Sequence, residues 1–251
     1  MRLVKIHTGA LLAAGLIAGL AGCGSSDGGG TGDGPPGAGR PAAAVESQQP
    51  GRQRAEIATV RGRRIAVHKQ KGDGAVWKTL SSPNAMGATR VFLVDAKDGG
   101  WLRVLLPIRP NGSTGWVKAS DVTLSSTPHR VEIDPRAYTF TVFDGDRVVR
   151  TGKVATGEGG TPTPAGRFYF TELVKPPTPD GAYGAYAFGL SGFSPTLKRF
   201  AGGPGQLAVH GTNKASALGR SVSHGCVRVG NEDITWMAKN LAIGTPVVVK
   251  E

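Results

Sequence analysis

The chain has 251 residues, with 30 Lys and Arg against 18 Asp and Glu (net charge +12), 39 Gly, 17 Pro and two cysteines. Such a balance usually points to nucleic acid, but the first residues read as an export signal. That removes nucleic acid from contention and leaves wall polymers and phospholipid headgroups as the polyanions within reach.

Residues 1–22 place Arg2 and Lys5 before an apolar run from Ala10 to Ala21. About a dozen apolar residues fall short of the roughly 20 that a membrane span needs. Leu20-Ala21-Gly22-Cys23 resembles the lipobox of bacterial lipoproteins. The resemblance implies cleavage before Cys23 and acylation of that cysteine, a stable anchor at the outer face of the cytoplasmic membrane, facing the cell wall. Residues 23–54 are then a lipidated linker. From Gly24 to Arg54 there are nine Gly, four Pro and no aromatic. Such a segment cannot bury a core and is predicted to be a disordered tether reaching about 30 Å.

Residues 55–127 carry 11 basic and 5 acidic side chains, half of the chain's excess charge. A basic surface there enriches the protein near anionic polymers, or simply keeps it soluble. Four strand-like pieces, at 63–69, 89–97, 100–108 and 115–124, are separated by Gly- and Asn-containing turns. So many short strands in so few residues predict a small barrel. Trp101-Leu102-Arg103-Val104 with Gly115-Trp116-Val117 resembles the bacterial SH3-like domains attached to cell-wall enzymes. Trp101 and Trp116 are expected in its core, and His68, which lacks a clustered partner, is expected to be structural.

Residues 128–251 resume the strands. An alternating run around Tyr138–Phe143 meets Asp144-Gly145, which marks a hairpin. Thr161-Pro162-Thr163-Pro164-Ala165-Gly166 is a stiff, proline-spaced loop before another strand. Val174 to Gly205 is rich in Gly, Pro and aromatics, long for a loop, and reads as a binding cap. Gln206–His210 is a short strand ending in a histidine. One helix is predicted from Asn231 to about Ile243, capped by Asn231, with Ile234, Met237, Ala238 and Leu241 on its apolar face. The fold class is mainly β with one or two short helices.

If Cys23 is consumed as an anchor, Cys226 has no disulfide partner. It is then either a buried small hydrophobe or a reactive thiol. In an extended segment, side chains two apart share a face, which predicts that His224, Cys226 and Arg228 project together. Cationic or proton-accepting neighbours favour thiolate over thiol, so a lowered thiol pKa and a nucleophile for acyl transfer are expected. His210, His224 and Cys226 could also ligate zinc. Without a fourth ligand or CxxC spacing they make a poor tetrahedral set, and no metal or cofactor is expected.

His210-Gly211-Thr212, Ser223-His224-Gly225-Cys226-Val227-Arg228 and the Thr161–Gly166 loop together resemble the L,D-transpeptidase catalytic domain. The resemblance implies a β-sandwich around a cysteine pocket, peptidoglycan stem peptides as substrates, and a cysteine acylated by a tetrapeptide stem with release of D-alanine. It makes Cys226 the nucleophile, His210 the general base or proton carrier and His224 a second motif histidine. Backbone N–H groups near Gly225 and Cys226, with Gly211, are expected to hold the oxyanion. No acid lies close to His210 in sequence, so a backbone carbonyl such as that of Gly211 is expected to fix its tautomer. Arg228 offers a fork for a substrate carboxylate or for a protein acid, and Tyr183 and Tyr186 line the cap. The family's thiolate also attacks strained acyl donors, so a carbapenem is expected to acylate Cys226. The acceptor stays open: an amine gives a cross-link, water a carboxypeptidase, a protein amine attachment to the wall. A non-catalytic wall-binding lipoprotein is the alternative from another class, although the nucleophile and base are both present.

Overall fold

β-branched and aromatic residues alternating with polar ones build two sheets in the computed structural model, which describes residues 2–3, 54–72, 74–200 and 202–251. The expected export signal at 1–22 and the expected linker at 23–54, Cys23 included, lie outside the described residues apart from Arg2, Leu3 and Arg54. Arg2–Leu3 (β1) pairs with Val174 and Lys175.

The first sheet is a barrel of seven strands. These are β2 (Ala55–Val60), β3 (Arg64–His68), β4 (Val76–Ser81), β5 (Val91–Asp98), β6 (Trp101–Leu105), β7 (Thr114–Lys118) and β8 (Val122–Thr127), in the order β4-β3-β7-β6-β5-β2-β8. Every neighbouring pair is antiparallel. Its core is mostly aliphatic around Phe92, with Val67, Leu102, Val104 and Val117 among the buried residues. Trp101 and Trp116 are not in that core, contrary to expectation. Both are only half-buried, since alternation along β6 and β7 turns Leu102, Val104 and Val117 inward and leaves Trp101 and Trp116 on the opposite face. Trp101 instead packs edge-on against His68, centroids 5.0 Å apart. His68 is buried, with Nδ1 3.0 Å from the Gly74 carbonyl, and is structural in this setting.

The second sheet contains β9 (His129–Asp134), β10 (Thr139–Asp144), β11 (Arg147–Gly157), β12 (Gly166–Lys175), β13 (Ala187–Phe193), β14 (Gln206–His210), β15 (Ser221–Ser223), β16 (Val227–Val229) and β17 (Pro246–Val249). The Asp144-Gly145 hairpin joins β10 to β11. Strand β12 pairs with β17 through Gly166–Tyr169 and with β13 through Phe170–Val174. The pairing path β12-β13-β14-β16-β11-β10-β9-β17 therefore returns to β12, and the two faces of the expected sandwich are sealed along that bent strand. Phe140, Phe168, Phe170, Phe188, Leu190, Val227 and Met237 fill the interior.

The stretch from Val174 to Gly205 is not one long loop. Strand β13 lies in its middle, with Phe188 and Leu190 buried. Its glycines disguise it: a Cβ on Gly189 would collide with the Glu172 carboxylate, and one on Gly192 with the Phe168 ring. Close packing, not a turn, excludes side chains there.

The helix α1 runs from Asn231 to Asn240, ending earlier than predicted. The chain is drawn off by β12, since the Gly244 amide donates to the Phe170 carbonyl at 2.7 Å. Ile234, Met237, Ala238 and Leu241 are buried, so the apolar face lies where the periodicity placed it. The N-cap is Gly230, without a side-chain cap bond, so Asn231 does not cap the helix. Barrel and sheet share buried contacts. The Tyr169 hydroxyl donates to the Val91 carbonyl at 3.1 Å, and Asn84 donates to the buried Glu172 at 2.7 Å.

Candidate active site

Two strand ends assemble the site. Strands β14 and β16 run parallel, with Val209 opposite Val227 and His210 opposite Arg228. Val209 and Val227 are buried in the core, so alternation puts His210 and Arg228 on the other face, with Ala208 and Cys226 one step behind. The Ala208 amide hydrogen-bonds the Cys226 sulfur, and Arg228 acts electrostatically on both the thiol and the His210 ring.

His210 is buried, with Nδ1 2.6 Å from the Gly211 carbonyl. A carbonyl only accepts, so Nδ1 carries the proton and Nε2 is left as the acceptor nitrogen. The Tyr183 ring covers the imidazole, centroids 4.9 Å apart at 52°. Burial pushes the His210 pKa down to about 4, with the Gly211 bond opposing and Arg228 assisting. Burial also pushes the Cys226 thiol up, against the smaller lowering effects of the Ala208 amide and Arg228. The expectation of a lowered thiol pKa is therefore corrected. Both shifts favour the uncharged forms, thiol and neutral imidazole, because removing the two groups from water penalises their charged forms more than their neighbours favour them.

His224 does not share the face of Cys226. It is exposed and stacks on Phe200, centroids 5.2 Å apart. Gly225 between them has φ +112°, a backbone few side chains adopt, and this breaks the alternation that an extended strand would keep. Of the amides assigned to the oxyanion, those of Gly225 and Gly211 are already committed. Gly225 N–H donates to Ser223 Oγ at 3.1 Å and Gly211 N–H to the Tyr186 carbonyl at 3.1 Å. Tyr186 itself is half-buried and packed against the core, whereas Tyr183 stays exposed beside His210. The Arg228 Nε is buried without a hydrogen-bond partner.

Several residues that shape the site carried no assignment in the sequence. Ser223, fully buried, donates through Oγ to the Cys226 carbonyl at 2.6 Å while accepting from Gly225. Thr163, from the proline-spaced loop, donates to the Gly225 carbonyl at 2.9 Å and accepts from Gly157 N–H at 2.8 Å. Both lie inside recognisable motifs, which was their only signal. Asn231 was legible only as a cap. Its Oδ1 instead accepts from Ala185 N–H and Thr212 N–H, each at 3.2 Å, tying the Tyr183 loop to the segment after His210. Asn231→Ala strands two part-buried amides and is expected to cost about 2 kcal/mol, with faster hydrogen exchange at Ala185 and Thr212. Asn231→Asp, which keeps the acceptor, should lose less. Urea denaturation of the two variants checks the order.

Among the described residues no three His, Cys, Asp or Glu side chains gather as a metal site. The L,D-transpeptidase catalytic domain model of the YkuD family matches residues 128–249. YkuD of Bacillus licheniformis is 30% identical over 154 residues, covering 59% of this chain and 85% of that protein. YkuD of Bacillus subtilis is 33% identical over 122 residues, covering 49% and 66%. Among solved structures, an L,D-transpeptidase from Mycobacterium smegmatis is similar at a TM-score of 0.40 and 18% identity, covering 74% of this chain and 99% of that one.

Proposed function

The chain belongs to the YkuD family of L,D-transpeptidase catalytic domains, and from that premise we propose that it transfers peptidoglycan stem peptides through a thioester on Cys226. The observation that carries this is the 2.6 Å bond from His210 Nδ1 to the Gly211 carbonyl, which leaves Nε2 as a proton acceptor on the face that Cys226 shares.

Because burial favours the uncharged thiol and imidazole, the nucleophile forms during attack. Cys226 Sγ adds to the carbonyl carbon of the stem's third residue as His210 Nε2 takes the thiol proton. The tetrahedral adduct collapses by breaking the bond to the terminal D-alanine, whose amine leaves with the proton held by His210. An acceptor amine from a neighbouring stem then attacks the thioester, His210 takes its proton, and the thiol is restored as the cross-link forms. Arg228, with an unpartnered Nε, offers its guanidinium to a stem carboxylate. Tyr183 covers the base and shields it from water. Cys23, if lipidated, would hold this chemistry at the outer face of the cytoplasmic membrane through the linker at 23–54.

Intact-protein mass spectrometry with a stem tetrapeptide, alone and with a second stem, tests this. The expected result is an acyl adduct on Cys226, formed with loss of D-alanine and discharged to the second stem. Discharge to water alone would make the protein a carboxypeptidase, and absence of any adduct would overturn acyl transfer.

A further inference from the structure

The segment between β13 and β14 is held from the barrel. Arg109, in the barrel loop after β6, donates through Nη1 to the Pro204 carbonyl at 3.0 Å and through Nη2 to the Leu197 and Ser194 carbonyls at 3.0 and 3.2 Å. Its guanidinium also lies 4.6 Å from the centroid of the Phe193 ring. Two residues on, Asn111 bonds the Phe193 backbone in both directions, Nδ2 donating to the carbonyl at 2.8 Å and Oδ1 accepting from the amide at 2.9 Å. At the other end of the segment Gly205 has φ +71°, and a Cβ there would collide with the Leu197 carbonyl and sit 3.2 Å from Arg109 Nη2. No larger residue fits that approach.

What this brace holds in place is Phe200. Its amide and carbonyl exchange bonds with Gly203, at 3.1 and 2.9 Å, and its ring stands 40% exposed on the imidazole of His224. His224 stands two residues before Cys226, next to Gly225, whose carbonyl and amide are pinned by Thr163 and Ser223. A planar cation placed on three neutral carbonyls gives direction at several points, as a single ammonium could not.

We infer that Arg109 and Asn111 are positioning residues for acylation: the barrel fixes the segment that sets Phe200 against His224, two residues before Cys226. The barrel is thereby part of the acyl-transfer site. This rests on the reading that Cys226 is acylated by a stem peptide.

The test uses the full chain with Arg109→Ala, Arg109→Lys, Asn111→Ala, Phe200→Ala and the Arg109→Ala/Phe200→Ala pair. Hydrogen exchange across 194–200 and 202–205, single-turnover acylation by stem tetrapeptide and alkylation by iodoacetamide are measured on each. Arg109→Ala and Asn111→Ala should speed exchange in these stretches and slow saturating acylation about ten-fold, since small misplacements cost large factors in rate. Alkylation should stay within about two-fold, because the cysteine loop has its own bonds. Arg109→Lys should recover only part of the acylation rate. Phe200→Ala should slow acylation similarly, and the double variant should be no slower than the slower single. Parent-like acylation in Arg109→Ala, or fully additive losses in the pair, would overturn the brace. A parent protein that never takes an acyl group would instead overturn the acyl-transfer reading itself.

Discussion

Cys226→Ser should lower acylation by stem peptide by about 10³-fold or more, while the melting temperature moves by only a few degrees. The substitution is close to isosteric at a half-buried position, so the fold has little reason to respond. The chemistry does, because burial already holds the thiol above its ordinary range. A hydroxyl, far less acidic, leaves a neutral imidazole of pKa about 4 with too little basicity to assist. The same two shifts predict how the parent thiol responds to pH. A preformed thiolate–imidazolium pair would be alkylated at a rate flat from about pH 5 upward. Here the rate with iodoacetamide should keep climbing into the alkaline range, through a pKa above that of an ordinary cysteine. A plateau near pH 6 would mean that the ion pair exists and that attack begins from thiolate.

The parts of this site visible in the sequence are those set by local pattern. His210 at a strand end, with the neighbouring Gly211 carbonyl as its partner, follows from a short apolar run ending in His-Gly. The apolar face of α1 follows from its period. The parts that were not visible depend on what packs against what. Whether a thiol beside cations is acidic depends on how much water reaches it, and at Cys226 desolvation outweighs Arg228. Whether His224 shares a face with Cys226 depends on one φ angle at Gly225. Strand β13 was hidden because the neighbours of Gly189 and Gly192 leave no room for side chains, which in sequence looks like a loop. Asn231 has partners 46 and 19 residues upstream, beyond any local rule for a helix start. The barrel's role was obscured similarly. Arg109 and Asn111 lie in a turn that reads as a plain connection, and their partners are 82 to 95 residues away.

His210→Gln should slow saturating acylation by about 10²- to 10⁴-fold, the usual contribution of a positioned base, with a much smaller change in the stem concentration needed for half-saturation. It should also make the fold less sensitive to acid. His210 has a pKa lowered from 6.5 to about 4, first by burial and then by Arg228, against the Gly211 bond. Between those values the unfolded chain takes up a proton that the folded chain refuses, so stability falls as pH drops from about 6.5 toward 4. The loss stops growing below about 4, where the folded state accepts the proton too. Its full size is about 3 kcal/mol by linkage. Glu172 acts with the opposite sign, since burial raises its pKa and the folded state then binds the proton more readily than the unfolded one. The parent alone therefore cannot isolate His210, but the difference between parent and variant can. Between pH 7, 5.5 and 4 the parent's urea midpoint should fall relative to the variant's, because only the parent carries the His210 penalty. If the two curves run parallel across that range, the imidazole is not held neutral by the fold. The base that deprotonates Cys226 would then have to be sought elsewhere.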